Sequence, residues 1–217
     1  MQSDPPASGS DQLRRLVEEL GENRAAAATL TGDLTTGQLR WRPEPESWSV
    51  AECLDHLVRT GESYLPEIDR ALERAREEDF RAEGPFSRGF LGRWLVRGME
   101  PPPGLRIPSP GDFLPRIGED ASTEADAERA APPGSGPVPD GKPAAAVLSR
   151  FREHQERLAS RILEADGVDL EAVSVPFPVA PFLRINLLAG FAYLSAHQRR
   201  HLWQARQITG REEFPGE

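Results

Sequence analysis

The sequence contains a single cysteine, Cys53, among its 217 residues, so no disulfide can form within the chain. It also lacks an apolar run near the roughly 18–20 residues that a membrane-spanning helix requires. Its N-terminal stretch, Met1 to Ser10, is polar, includes two prolines and shows no apolar signal core. These absences predict a cytoplasmic protein without a membrane partner.

Positive charge is scarce as well. Lysine and arginine number 26 against 35 acidic residues, which gives a net charge of −9 at neutral pH. A chain of this charge repels a phosphate backbone, so nucleic acid is not expected as the main partner. Hydrophobic residues make up 38% of the chain, below the average for globular proteins, but the deficit lies in stretches rich in proline and glycine. The remaining segments are apolar enough to pack around one core.

Four segments carry apolar residues at helical spacing and have recognisable ends. The first runs from a cap at position 10 or 11 to Gly32. The second follows the sequence S-x-x-E at positions 49–52, which fits a capping box, and continues to about position 78. The third begins at Pro143, because proline is favoured at the first position of a helix. The fourth covers roughly positions 187–208.

The stretch from residue 80 to residue 142 differs in composition from these helices. Prolines and glycines are frequent there, and only Phe90–Met99 has helical spacing. Four helices with a long Pro/Gly-rich crossover between the second and the third predict an all-α four-helix bundle. A second connection, Val173–Phe182, holds three prolines and is expected to be extended without forming a hairpin.

The expected organisation is one bundle that covers residues 10–210. Residues 1–9 are expected to form a disordered tail, and residues 211–217 a C-terminal tail. Within the crossover, segment 118–141 is rich in alanine, proline and acidic residues, and it is expected to be a flexible linker.

Two histidines are predicted to lie one turn apart on the inner face of the fourth helix. His197 and His201 continue an apolar stripe that includes Leu194 and Ile208. Two imidazoles at i and i+4 can bind one metal ion, but a buried pair can equally be satisfied by carbonyl or carboxylate groups. The spacing of the pair leaves both interpretations open.

Other polar residues lie near the predicted core. His56 borders the apolar stripe of the second helix, and its position alone favours a half-exposed surface histidine. His154 lies beside Gln155 on the third helix, which predicts a polar edge and not a metal ligand. Cys53, one turn before His56, could supply a thiolate but is typical of a small buried hydrophobe. Trp48, in the loop before the second helix, is interpreted as a cover over the core.

Three short motifs together resemble the DinB/YfiT-like superfamily over about residues 10–210. They are Trp48-Ser49-Val50, His56-Leu57 and His197-x-x-x-His201-x-x-Gln204. Members of that superfamily are four-helix bundles commonly described as metal-dependent enzymes. The resemblance implies that His56, His197 and His201 form a three-histidine site for a divalent metal ion, with zinc or nickel expected first and iron or manganese as alternatives. At least one coordination position would stay open for a water or a thiol.

The resemblance also implies a reaction class. The expected activity is that of a thiol-dependent S-transferase, which uses a low-molecular-weight thiol, or that of a hydrolase of a small-molecule substrate. The alternative is a non-catalytic bundle that binds a metal or a ligand as a stress-related sequestering or sensing module. A homodimer is expected because relatives often pair.

The identity of a general base stays open. Metalloproteases of the H-E-x-x-H type are excluded, because Gln198 stands where their glutamate is required. Glu52, one turn from His56, is a candidate for a base or for a residue that supports the ligands, although it is already expected to cap the second helix. Its neighbour Asp55 is expected to be solvated.

Overall fold

The helices predicted from the apolar spacing are present in the computed structural model, which describes residues 8–45, 47–102, 143–177 and 180–216. In chain order this part of the protein contains α1 (Gly9–Thr31), α2 (Thr36–Arg40), α3 (Val50–Glu77), α4 (Gly89–Met99), α5 (Pro143–Glu164), β1 (Ser174–Phe177), β2 (Ala180–Asn186) and α6 (Leu187–Thr209). The prediction of a mainly α-helical fold is confirmed.

The starts of α3 and α1 show how local sequence sets the helix ends. At α3 the Ser49 hydroxyl accepts a hydrogen bond from the Glu52 N–H, and the Glu52 carboxylate accepts one from the Ser49 N–H, so the predicted capping box is confirmed. α1 begins earlier than predicted, because Ser8 and Asp11 form a second box of this kind. Positions 8 and 9 therefore belong to the start of α1 and not to a tail, while the rest of the predicted tail lies outside the described residues.

β1 and β2 pair with each other as the two antiparallel strands of a hairpin. The prediction of an extended connection without a hairpin was therefore wrong. Along β1 burial alternates: Val175 and Phe177 are buried, whereas Ser174 and Pro176 are half-buried. Because prolines are uncommon in strands, this alternation was not recognised in the sequence. The Tyr64 hydroxyl donates a hydrogen bond to the Pro176 carbonyl at 2.7 Å, which ties β1 to α3.

The long helices pack so that α3 and α6 face each other. α1 and α3 each pack against both α5 and α6, and α4 packs on α6. Gly92 makes this last contact close: a β-carbon at its position would lie 2.5 Å from the Ala189 β-carbon. The core between these helices is built from large side chains that are almost fully buried, among them Ile68, Leu158 and Phe191.

The crossover and the C-terminus are described in part. α4 lies where helical spacing predicted it, whereas the predicted linker at 118–141 lies outside the described residues. Within the predicted C-terminal tail, the Phe214 ring packs edge-on against Trp41, and the Pro215 carbonyl accepts a hydrogen bond from Gln38 Nε2 at 2.9 Å. None of the helices in the described ranges has the length and the apolar content that crossing a bilayer would need.

Candidate metal centre

Three histidine side chains from two helices converge where α3 faces α6. His56 lies on the second turn of α3, and His197 and His201 lie one turn apart near the middle of α6. The Nε2 atom of His197 is 3.1 Å from Nε2 of His56 and 3.1 Å from Nε2 of His201. One donor atom from each ring lies within 4.8 Å of the other two. The structure therefore brings together the three residues that the sequence motifs singled out.

The spacing of these nitrogens fits a divalent metal ion. Zinc bound to imidazole nitrogens at 2.0–2.1 Å in tetrahedral geometry holds those nitrogens about 3.3 Å apart. The measured separations of 3.1 Å are close to that value. Imidazole is a good ligand for zinc, nickel, copper and iron, so the donor set supports a divalent metal in general and leaves its identity open.

All three histidines are buried, and for His197 and His201 burial favours the neutral form that binds metals. The exposed fractions of His56, His197 and His201 are 3%, 8% and 7%. Removal from water is the main cause that lowers the pKa values of His197 and His201 well below 6.5, and the neighbouring histidines and Arg200 lower them further. Neutral imidazoles are thereby favoured, and each neutral ring offers one lone pair as a ligand.

Gln204 determines which nitrogen of His201 carries the proton. The Gln204 side-chain oxygen lies 3.1 Å from Nδ1 of His201. An amide oxygen only accepts hydrogen bonds, so Nδ1 must donate, and the lone pair is then on Nε2, the atom that faces His197. Such an outer hydrogen bond is a usual feature of metal-binding histidines.

Two aromatic rings pack against the histidines. The Trp48 ring centroid is 4.9 Å from that of His56 and 5.5 Å from that of His201, and its plane is 23° from the His201 plane. Tyr193, one turn before His197 on α6, stacks on the His197 ring at 5.8 Å. Trp48 therefore lines the histidine site. The sequence had indicated only that it covers the core.

Glu52, the candidate base, has its carboxylate engaged elsewhere. One oxygen accepts hydrogen bonds from the Ser49 N–H at 2.8 Å and from Arg42 Nε at 2.9 Å, and the other accepts from Arg42 Nη2. The residue is 3% exposed. In the described structure Glu52 therefore caps α3 and holds Arg42.

Several polar side chains are more buried than their sequence context indicated. His154 was expected on a polar edge, but it is 1% exposed, because Gly61 lacks a side chain and leaves room for the imidazole between α5 and α3. Asp55 was expected to be solvated, but it is 2% exposed and forms ion pairs with Arg59 and Arg150. Both expectations were wrong because residues of a neighbouring helix cover these positions.

Neither His154 nor Cys53 joins the three histidines in the metal-ligand group found among the described residues. Cys53 is 1% exposed in an apolar cluster with Val50 and Ile208, and burial raises the pKa of its thiol. This environment suits the small buried hydrophobe that was expected and not a reactive thiolate.

Gln198, next to His197, belongs to a buried amide network that no sequence pattern indicated. Its side-chain oxygen accepts hydrogen bonds from Asn23 Nδ2 at 3.0 Å and from Gln155 Nε2 at 2.8 Å, and its own amide donates to the Gln155 oxygen at 3.1 Å. The network joins α1, α5 and α6 beside the histidine site. It therefore restrains the rotation of the helix that carries His197 and His201.

Comparisons with known proteins agree with the motifs. A family model for the DinB superfamily matches residues 19–205, a range that contains all three histidines. Neither the comparison with curated proteins nor the comparison with solved structures found a match.

Proposed function

The chain belongs to the DinB superfamily, and on this premise we propose that it is a divalent-metal-dependent enzyme whose metal ligands are His56, His197 and His201. The observation that carries the proposal is the convergence of the three Nε2 atoms, with 3.1 Å between His56 on α3 and His197 on α6, and 3.1 Å between His197 and His201 within α6. We also propose that α1, α3, α5 and α6 form the four-helix bundle that is typical of the superfamily.

The reaction proposed is transfer to or from a small-molecule substrate, with a low-molecular-weight thiol as cosubstrate. Hydrolysis of a small molecule at the same site is the closest variant. A divalent metal bound there would lower the pKa of a coordinated thiol or water and so supply a nucleophile at neutral pH. Zinc or nickel is proposed first, with iron or manganese as alternatives.

The residues of the chain contribute binding, orientation and exclusion of water. The three imidazoles offer nitrogen ligands, and Gln204 keeps the His201 lone pair on Nε2. Trp48 and Tyr193 cover the imidazole faces and lower the local polarity, which strengthens electrostatic interactions within the site.

One feature favours the alternative, a bundle that binds a metal or a ligand without turnover. Both carboxylate oxygens of Glu52 are occupied by Ser49 and Arg42, so this carboxylate is not available to take a proton in the described structure. Turnover of a thiol by the metal-loaded protein distinguishes the two functions, since only the enzyme consumes thiol when an electrophile is added.

Elemental analysis tests the metal site directly. Protein purified without chelator is expected to hold about one divalent metal ion per chain, as three convergent imidazoles would bind a single ion. His56→Ala and His197→Ala should each weaken binding by more than about 100-fold, because loss of an outer hydrogen-bond partner alone costs about 10–100-fold. His154→Leu is the matched control, since it removes the remaining histidine of the chain and should keep the metal. Equal metal content in all four proteins would refute the site.

The proposed setting is a cytoplasmic homodimer. Light scattering of the purified protein gives the molar mass of the particle in solution. A mass near 23.9 kDa, that of one chain, would refute the dimer.

A further inference from the structure

The loop between α2 and α3 places an aromatic side chain between the histidine site and solvent. The described loop comprises residues 41–45 and 47–49, and its Trp48 packs on His56 and His201 at centroid distances of 4.9 and 5.5 Å. Trp48 is half-buried, whereas the imidazoles beneath it are buried. On this side of the site, the indole is therefore what separates the histidine rings from water.

One ion pair holds this loop to α3. Arg42 Nε donates to Glu52 Oε2 at 2.9 Å, and Arg42 Nη1 donates to the Pro45 carbonyl at 3.2 Å. The Glu52 side chain is 4% exposed and that of Arg42 is 31% exposed. Since the carboxylate is shielded and bonded by two guanidinium nitrogens, the pair is stronger than a pair fully exposed on the surface.

We propose that this loop is a cover for the three-histidine site, in which Trp48 limits the access of metal ions and small molecules to the imidazole nitrogens and the Arg42–Glu52 pair keeps the loop closed. The proposal rests on the proposed function in one respect: that function identifies the metal ion and the small molecules that would have to pass the loop to reach the histidines. It makes Glu52 a positioning residue, which acts on the site through Arg42 and the loop.

Chemical modification of the metal-free protein tests the cover without relying on metal binding. Diethyl pyrocarbonate acylates accessible neutral imidazoles, and mass spectrometry of peptides gives a rate for each histidine. Trp48→Ala should raise the rates for His56 and His201 by about tenfold or more, the effect expected when one stabilising contact of the closed state is lost. His154, buried between α5 and α3, is the internal reference and should keep its rate.

A second variant acts on the loop from a distance. Glu52→Gln keeps an acceptor for the Ser49 N–H, so the capping box is retained, but it removes the charge that holds Arg42. It should raise the same two rates by several-fold. Trp41→Phe is the matched control, because Trp41 belongs to the same loop but packs against Phe214. It should leave the histidine rates unchanged.

Metal release gives an independent readout. In zinc-loaded protein mixed with excess chelator, Trp48→Ala and Glu52→Gln should each release zinc faster than Trp41→Phe. The double variant should release it no faster than Trp48→Ala alone, because both changes act through one loop. Rates for His56 and His201 that match those of Trp41→Phe, or a parallel rise at His154, would overturn the proposal. A wild-type chain that binds no metal would refute the proposed function instead, and the modification rates would still decide whether the loop is a cover.

Discussion

Gly61, in the middle of α3, leaves room for the imidazole of His154 from α5. A β-carbon at position 61 would lie 1.9 Å from Nε2 of His154 and 2.2 Å from its Cε1. Both distances are far below van der Waals contact. The imidazole is 1% exposed, so it cannot turn out to solvent without separating the two helices. We therefore expect Gly61→Ala to destabilise the protein.

The expected magnitude follows from two opposing effects. Replacing glycine by alanine within a helix normally stabilises it by about 0.8–1 kcal/mol. Overpacking a core costs about 1–3 kcal/mol and sometimes more. With distances this short the steric cost is expected at the upper end, so Gly61→Ala should lower the free energy of unfolding by about 2 kcal/mol. In a His154→Ala background the ring is absent, and the same change should be neutral or stabilising by up to about 1 kcal/mol.

Urea unfolding of the parent, both single variants and the double variant measures this coupling. The change in unfolding free energy caused by Gly61→Ala should be about 2–3 kcal/mol more favourable in the His154→Ala background than in the parent. Gly21→Ala is the control, because nothing lies within 4 Å of a β-carbon at that position in α1. It should show no loss of stability. Equal effects of Gly61→Ala in the two backgrounds would refute the assigned contact between Gly61 and His154.

Three further outcomes are expected. Burial, and to a lesser extent the charge of Arg157, lowers the pKa of His154 from 6.5 to about 4, so only the unfolded chain takes up this proton as the pH falls between these values. Over this pH range the free energy of unfolding should drop by about 3 kcal/mol more in the parent than in His154→Leu. Urea unfolding at several pH values measures the difference. Parallel pH profiles of the two proteins would contradict the burial of a neutral ring. Gln204→Ala should weaken zinc binding by about 10–100-fold in a competition titration, whereas an unchanged affinity would mean that the hydrogen bond to His201 does not orient the ligand. Gly92→Ala should lower the melting temperature, because the new β-carbon would lie 2.5 Å from that of Ala189, and a melting temperature at or above that of the parent would show that α4 shifts away at no cost.

The fold could largely be predicted from the sequence because its signals are local. The capping box at Ser49 and Glu52, the proline that opens α5 and the apolar spacing along each helix act within a few residues. The hairpin was not predicted because its signal is not local. The burial of Val175 and Phe177 depends on the helices that cover β1, and prolines in the strand masked the alternation.

The sequence by itself determined that His197 and His201 share one face of a helix, since a turn of α-helix places positions i and i+4 together. Family motifs added His56, which position alone had assigned to a half-exposed edge. Only the tertiary structure decided that its Nε2 lies 3.1 Å from that of His197, 141 positions away, because that distance depends on how α3 and α6 pack.

The same packing decided which polar side chains are removed from water. Trp48 reaches the histidine rings because Arg42 and Glu52 hold its loop against α3. His154 is buried because a glycine on the facing helix admits its ring. Pairings between distant segments depend on the shapes of both partners, and a pattern of residues along one segment does not contain the shape of the other.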